Sequence, residues 1–175
     1  ASKAYLGSRG DTLFCEVIQK LVFGDDSTHD DRISTIQSPG GSGALRVAAQ
    51  LILRANPNAT MWVSDPTWDN HVPLLGEAGI KLRAYPYYDT QNNNILFEGM
   101  LGALGQSEPG DLVLLHGCCH NPTGMDLSFD QWDRVADLVE ERKLIPFIDL
   151  AYQGFAQGLE EDRYGVKLMY ERLPE

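Results

Sequence analysis

The chain has 175 residues, a formal net charge of −11, 43% hydrophobic and 22% charged residues. This length accommodates one domain or a large part of one, with a core able to bury roughly 70% of the unfolded surface. The acidic balance argues against a nucleic-acid partner, which needs clustered Lys and Arg, and no apolar run approaches the roughly 20 residues required to span a bilayer, so no membrane partner is expected.

The N-terminus, Ala1-Ser2-Lys3-Ala4-Tyr5, lacks the long apolar run of a signal peptide. Cys15, Cys118 and Cys119 form no disulfide framework. A cytoplasmic location, or an organelle matrix, is therefore expected. The acidic clusters Asp25–Asp31 and Glu160–Asp162 read as solvated loops.

Along the chain, helical and strand patterns alternate. Asp11 is placed to cap a helix through Phe23, because Leu13, Phe14, Val17, Ile18, Leu21 and Val22 recur at three-to-four spacing. A short strand, Ser34–Gln37, is predicted to run into Pro39-Gly40-Gly41-Ser42-Gly43, with a helix over Ala44–Arg54. Strand Met61–Ser64 leads to Asp65-Pro66-Thr67-Trp68 and a helix near Asn70–Ala78. Strand Lys81–Tyr87, the polar turn Asn92-Asn93-Asn94 and a helix near Phe97–Leu104 follow. The apolar run Leu112–Leu115 predicts a strand buried on both faces, ending at His116. Helix Phe129–Arg142 leads to a second buried strand, Leu144–Leu150, and a last helix begins near Arg163.

This alternation predicts an α/β fold with a mostly parallel sheet, right-handed crossovers and helices on both faces. Ligands of such sheets bind outside the carboxyl ends of the strands. The polar clusters Gly41–Gly43, Asp65–Trp68, His116–Asn121 and Asp149–Tyr152 all fall there.

Each cluster has a chemical and a bland reading. Gly41, Ser42 and Gly43 lead into a helix, where free backbone N–H groups and partial positive charge suit an anion, although a Gly-rich turn is often only a turn. Asp149 ends an apolar strand, where a carboxylate is costly without a donor or cation; it either caps a turn or holds a pyridine nitrogen protonated. Trp68 is core or a plate stacked on a flat cofactor. His71 is a satisfied structural residue or the donor that orients a buried carboxylate. His116, Cys118, Cys119 and His120 fit structural zinc spacing poorly, and the adjacent cysteines read as small buried thiols.

Gly41-Ser42-Gly43-Ala44-Leu45-Arg46, Trp62-Val63-Ser64-Asp65-Pro66-Thr67-Trp68, His116-Gly117-Cys118-Cys119-His120-Asn121-Pro122-Thr123-Gly124 and Asp149-Leu150-Ala151-Tyr152-Gln153-Gly154-Phe155 occur in this order. Together they resemble the class I aminotransferases of fold type I, aspartate and aromatic-amino-acid branch, over nearly the whole chain. The resemblance implies a partial pyridoxal 5′-phosphate-binding large domain over residues 1–175 of a homodimeric enzyme. That enzyme exchanges an amino group between aspartate or an aromatic amino acid and 2-oxoglutarate.

By the same resemblance, Gly41, Ser42 and Gly43 hold the cofactor phosphate. Trp68 stacks on its ring and touches substrate, and Asn121 and Tyr152 donate to its phenolic oxygen. Asp149 pairs with the ring nitrogen, with His71 and His116 behind it. Tyr5 reaches the phosphate of the other subunit, and Trp68, Asn121 and Tyr5 contact substrate. Cis bonds at Asp65–Pro66 and Asn121–Pro122 are implied as well.

The pattern departs from the family in several respects. None of Lys3, Lys20, Lys81, Lys143 and Lys167 stands in the Ser-x-x-Lys context of the lysine that links to the cofactor. The family's phosphate-binding Arg, its substrate-carboxylate arginines and its small domain have no counterpart either. The expectation is a segment of an aminotransferase, inactive alone. The alternatives are a lyase of the same fold and a non-catalytic truncated cofactor-binding fragment.

Overall fold

The computed structural model describes residues 4–25, 27 and 30–173. Its frame is a four-stranded parallel sheet with spatial order β2-β1-β5-β6, made of β1 (Thr60–Asp65), β2 (Lys81–Pro86), β5 (Leu112–His116) and β6 (Ile145–Asp149). From β1 the chain first moves to β2 on one side and then returns to β5 on the other. The carboxyl ends of β1 and β5 therefore flank a topological switch point, the place where such sheets open a crevice.

Alternation along the central strands assigns the core. Met61 and Val63 of β1 with Leu112 and Leu114 of β5 belong to one buried cluster, and Trp62 with Val113 and Leu115 belong to the other. The first cluster includes Ala49 of α2 (Gly40–Ala55) and Leu75 of α3 (His71–Gly76). The second includes Met100 of α4 (Phe97–Leu104), Val135 of α5 (Phe129–Arg142) and Met169 of α6 (Tyr164–Arg172). Helices thus cover both faces, as the alternation predicts.

Helix starts follow local chemistry. Asp11 accepts the Phe14 N–H at 2.9 Å to cap α1 (Thr12–Phe23), and Ser128 with Gln131 forms a reciprocal capping box on α5. Lys143 ends α5 in the left-handed region, at φ 54°. A two-stranded antiparallel ladder, β3 (Tyr88–Asp89) with β4 (Asn94–Ile95), brackets the polar turn and was not anticipated from the sequence.

Several expectations are corrected. Ser34–Gln37 is not a strand: Gln37 N–H donates to the Arg9 carbonyl at 2.9 Å, and no neighbouring strand among the described residues extends that contact into a ladder. Helix α2 begins at Gly40 rather than Ala44, so Gly41, Ser42 and Gly43 form its first turn instead of preceding it. Helix α3 is shorter than expected.

Strand β6 is not buried on both faces. It is the edge of the sheet, and Ile145 is 51% exposed. Ile145 N–H donates to Asp111 and the Asp149 carbonyl accepts from Gly117, so the backbone groups of Pro146 and Ile148 face outward. Pro146 is tolerated there because the N–H it lacks is not needed by the ladder. An apolar run reads alike at a sheet's centre and at its edge.

Nor are the acidic clusters simply solvated. Asp162 is buried, at 5% exposure, and Asp30 pairs with Arg32 and accepts from the Tyr170 hydroxyl. Of the adjacent thiols, Cys118 is buried and Cys119 only half-buried. No helix is long and apolar enough to cross a membrane among the described residues.

Candidate active site

The crevice at the strand ends is lined by Gly41, Leu45, Trp68, His116, Cys118, Asn121, Asp149, Ala151 and Tyr152. They arrive from α2 and from the carboxyl ends of β1, β5 and β6 with the loops that follow. Trp68 follows β1, His116 ends β5, Asn121 lies in the loop after β5, Asp149 ends β6, and Tyr152 lies in the loop after β6. Peptide bonds Asp65–Pro66 and Asn121–Pro122 are cis.

Behind the crevice runs an ordered set of hydrogen bonds. The Asn121 N–H donates to His116 Nδ1 at 3.4 Å. A backbone amide only donates, so Nδ1 is the acceptor and the proton of neutral His116 sits on Nε2. Nε2–H then donates to Thr67 Oγ1 at 3.2 Å. The Thr67 hydroxyl turns its own hydrogen to His71 Nδ1 at 2.7 Å, which leaves His71 Nε2–H to donate to Asp149 Oδ2 at 2.9 Å. The tautomers are assigned from this one constraint. Burial, and then the neighbouring His71, pushes His116 down to about 4, so the neutral form the network needs is the form present at neutral pH.

A further layer packs against these rings. His120 is 2% exposed and stacks between Tyr87, at 4.0 Å and 16°, and His116, at 4.1 Å. Ser64 and Thr123 hydroxyls bond its two nitrogens at 3.0 and 2.8 Å. Burial, reinforced by His116, drives His120 down to about 3. Asp126 accepts the N–H groups of Cys119 and His120 at 2.7 and 2.8 Å, tying down the loop that carries Asn121. Burial, together with Asp162 and Cys119, pushes the Cys118 thiol up, so it stays protonated and packs as an apolar group.

The site residues expected from sequence are distributed unevenly. The structure brings together Gly41, Trp68, His116, Asn121, Asp149 and Tyr152, with His71 hydrogen-bonded to Asp149 and edge-on to Trp68 at 5.3 Å. Ser42 and Gly43 stand one and two residues beyond Gly41 in the first turn of α2, outside the lining. Tyr5 is fully exposed and lies apart from its own crevice. Sequence reasoning missed Thr67, Ser64, Thr123 and Asp126. Only Thr67 carried a signal, a hydroxyl four residues before His71.

The arrangement suits a flat, anionic, nitrogen-containing ligand. Oδ2 of Asp149 is taken by His71, whereas Oδ1 has no hydrogen-bond partner among the described residues. No side chain caps the N-terminus of α2, and a Cβ on Gly41 would meet nothing within 4 Å, so an anion can approach the backbone there. Among the described residues no lysine lines the crevice.

Comparison with known proteins follows the same lines. Residues 1–171 match the family model described as aminotransferase class I and II. The aromatic-amino-acid aminotransferase of Paracoccus denitrificans is 44% identical over 174 residues, which is 99% of this chain and 44% of that protein. The aspartate aminotransferase of Escherichia coli K12 is 45% identical over 168 residues, 95% of this chain and 42% of that one. A crystal structure of the aromatic-amino-acid aminotransferase from Burkholderia pseudomallei, covalently bound to pyridoxal phosphate, superposes with a TM-score of 0.94 at 44% identity. That match covers 98% of this chain and 43% of the other. The chain thus spans under half the length of these relatives. By sequence and by fold together, it belongs to the class I and II aminotransferase family.

Proposed function

We propose that residues 1–175 form part of the pyridoxal 5′-phosphate-binding large domain of an aminotransferase. Its reaction exchanges an amino group between aspartate or an aromatic amino acid and 2-oxoglutarate. One observation carries the reading: Asp149 is oriented by His71 through one oxygen and leaves the other unpartnered at a crevice lined by Trp68, Asn121 and Tyr152. A carboxylate so placed is a partner for a protonated ring nitrogen.

Pyridoxal phosphate, when bound, supplies an electron sink for the substrate α-carbon. This chain supplies part of the site that would hold it. Gly41, Ser42, Gly43 and the N-terminus of α2 would hold the phosphate. Trp68 would stack on the ring and border the substrate with Asn121, while Asn121 and Tyr152 would donate to the phenolic oxygen. Asp149, kept in place by His71, Thr67 and His116, would hold the proton on the ring nitrogen. The full exposure of Tyr5 supports a homodimer in which it reaches the partner's phosphate and substrate. The free cysteines support a reducing cytoplasmic or organelle-matrix location.

Titration with pyridoxal phosphate, followed by tryptophan fluorescence, tests the site. Saturable quenching that Trp68→Phe diminishes is expected. Borohydride treatment of the loaded chain should leave Lys20, Lys81, Lys143 and Lys167 unmodified. Absence of binding, or a stoichiometric adduct at one of these lysines accompanied by amino transfer, overturns the reading.

A further inference from the structure

Tyr152 lies in the loop after β6, beyond Leu150 and Ala151, and is 42% exposed. Its hydroxyl makes no hydrogen bond among the described residues. No hydrogen bond therefore fixes the hydroxyl, and the ring is carried into the crevice by the backbone around it. That backbone is organised around one carboxylate. Asp162 Oδ2 accepts the N–H groups of Gly154 at 2.8 Å and Ala156 at 3.0 Å, and Oδ1 accepts those of Gln157 at 2.8 Å and Gly158 at 3.3 Å. The Asp162 N–H returns to the Gly158 carbonyl at 3.0 Å, and Phe155 N–H donates to the Tyr152 carbonyl at 3.1 Å. The turn that begins at Tyr152 is thus closed onto the ring of amides that Asp162 collects.

The carboxylate is buried, so these bonds do not compete with water. Desolvation raises the Asp162 pKa, but the backbone donors outweigh it and hold the group below the usual carboxylate range. Gly154, at φ 94°, takes a conformation that side chains rarely adopt. The assembled loop is tethered to the end of α1. Gln153 Nε2 donates to the Leu21 carbonyl at 2.9 Å, and Arg163 Nη1 donates to those of Lys20 and Leu21 at 3.3 and 3.2 Å.

We propose that Asp162 is a positioning residue for Tyr152: its carboxylate templates the loop 153–158 and so sets where the Tyr152 hydroxyl meets the ligand. The inference rests on the pyridoxal phosphate reading of the crevice and adds to it a residue outside the pocket lining. Asp162→Asn keeps the shape but turns an NH2 group toward two of the four amides, which then lose their acceptor.

The test is a double-mutant cycle on pyridoxal phosphate affinity with Asp162→Asn and Tyr152→Phe, joined to amide hydrogen exchange. Asp162→Asn should speed exchange at residues 154 and 156–158 and weaken binding about tenfold, near the loss from Tyr152→Phe. The double variant should be no weaker than the worse single one. Full additivity, or unchanged affinity alongside lost amide protection, overturns the inference while leaving the crevice reading intact. Failure of the wild-type protein to bind overturns both. Should Asp162→Asn not accumulate folded, Gln153→Ala loosens the same loop from its α1 tether. It should show the same coupling to Tyr152→Phe at smaller amplitude, and independence of the two is the overturning result.

Discussion

On the inner wall of the crevice, His71 is fully buried with a partner on each ring nitrogen, and Asp149 is held through it at 2.9 Å. On the rim, Ser42 is exposed and Tyr152 is 42% exposed, and neither side chain is hydrogen-bonded to its surroundings among the described residues. The inner wall is arranged by side chains that constrain one another; on the rim, Ser42 and Tyr152 are placed by the backbone segments that carry them. The difference teaches where substitutions should propagate. A change on the wall disturbs several groups, whereas a change on the rim removes little beyond its own contact.

The largest expected effect breaks the wall at its end. Asp149→Ala in the full-length protein should lower the single-turnover rate of transamination by about a thousandfold or more, roughly 4 kcal/mol of barrier, because the ring-nitrogen partner is gone. Near-native turnover would remove the role assigned to this carboxylate.

Acid should weaken the wall next. His116 and His120 are held neutral, near 4 and 3 against an ordinary 6.5. Their folded values are depressed, so below about pH 6.5 the unfolded chain binds protons that the folded one refuses. Stability is full above that pH and is lost as the pH falls toward 4. A loss of roughly 2 kcal/mol between pH 6.5 and 5 is expected, less than the roughly 3 kcal/mol of two independent rings because the two are in contact. Urea midpoints across this range measure it, and a flat profile would show the histidines to be solvated.

The smallest effect sharpens the contrast. Ser42→Ala should leave stability within about 0.5 kcal/mol and weaken inorganic phosphate or cofactor binding by about fivefold, more so at low salt. A large loss of stability would place Ser42 with the wall rather than the rim.

Legibility in the sequence follows the same division. Helix α5 was placed at its observed bounds, which the Ser128–Gln131 capping box and the left-handed Lys143 mark, and α4 was placed close to its own. The crevice position was legible because polar clusters repeatedly end apolar runs. Strand β6 was misread as buried, since Ile145-Pro146-Phe147-Ile148 carries no record of how many neighbours it has. Thr67, Asp126 and Asp162 are ordinary polar residues whose importance comes from partners that the fold supplies. Asp162 in particular looked like one member of an acidic surface run.

The backbone amide of Asn121 has a consequence for how the crevice responds to charge. Because that N–H faces Nδ1 of His116, each hydrogen from there to Asp149 points the same way. Reversing the row would leave two hydrogens opposed at its first link. The row therefore cannot conduct a proton and recover by flipping, as a water chain does. It behaves instead as a frozen polarisation aimed at one carboxylate, set when the chain folds and requiring little reorganisation when charge on a bound ring changes.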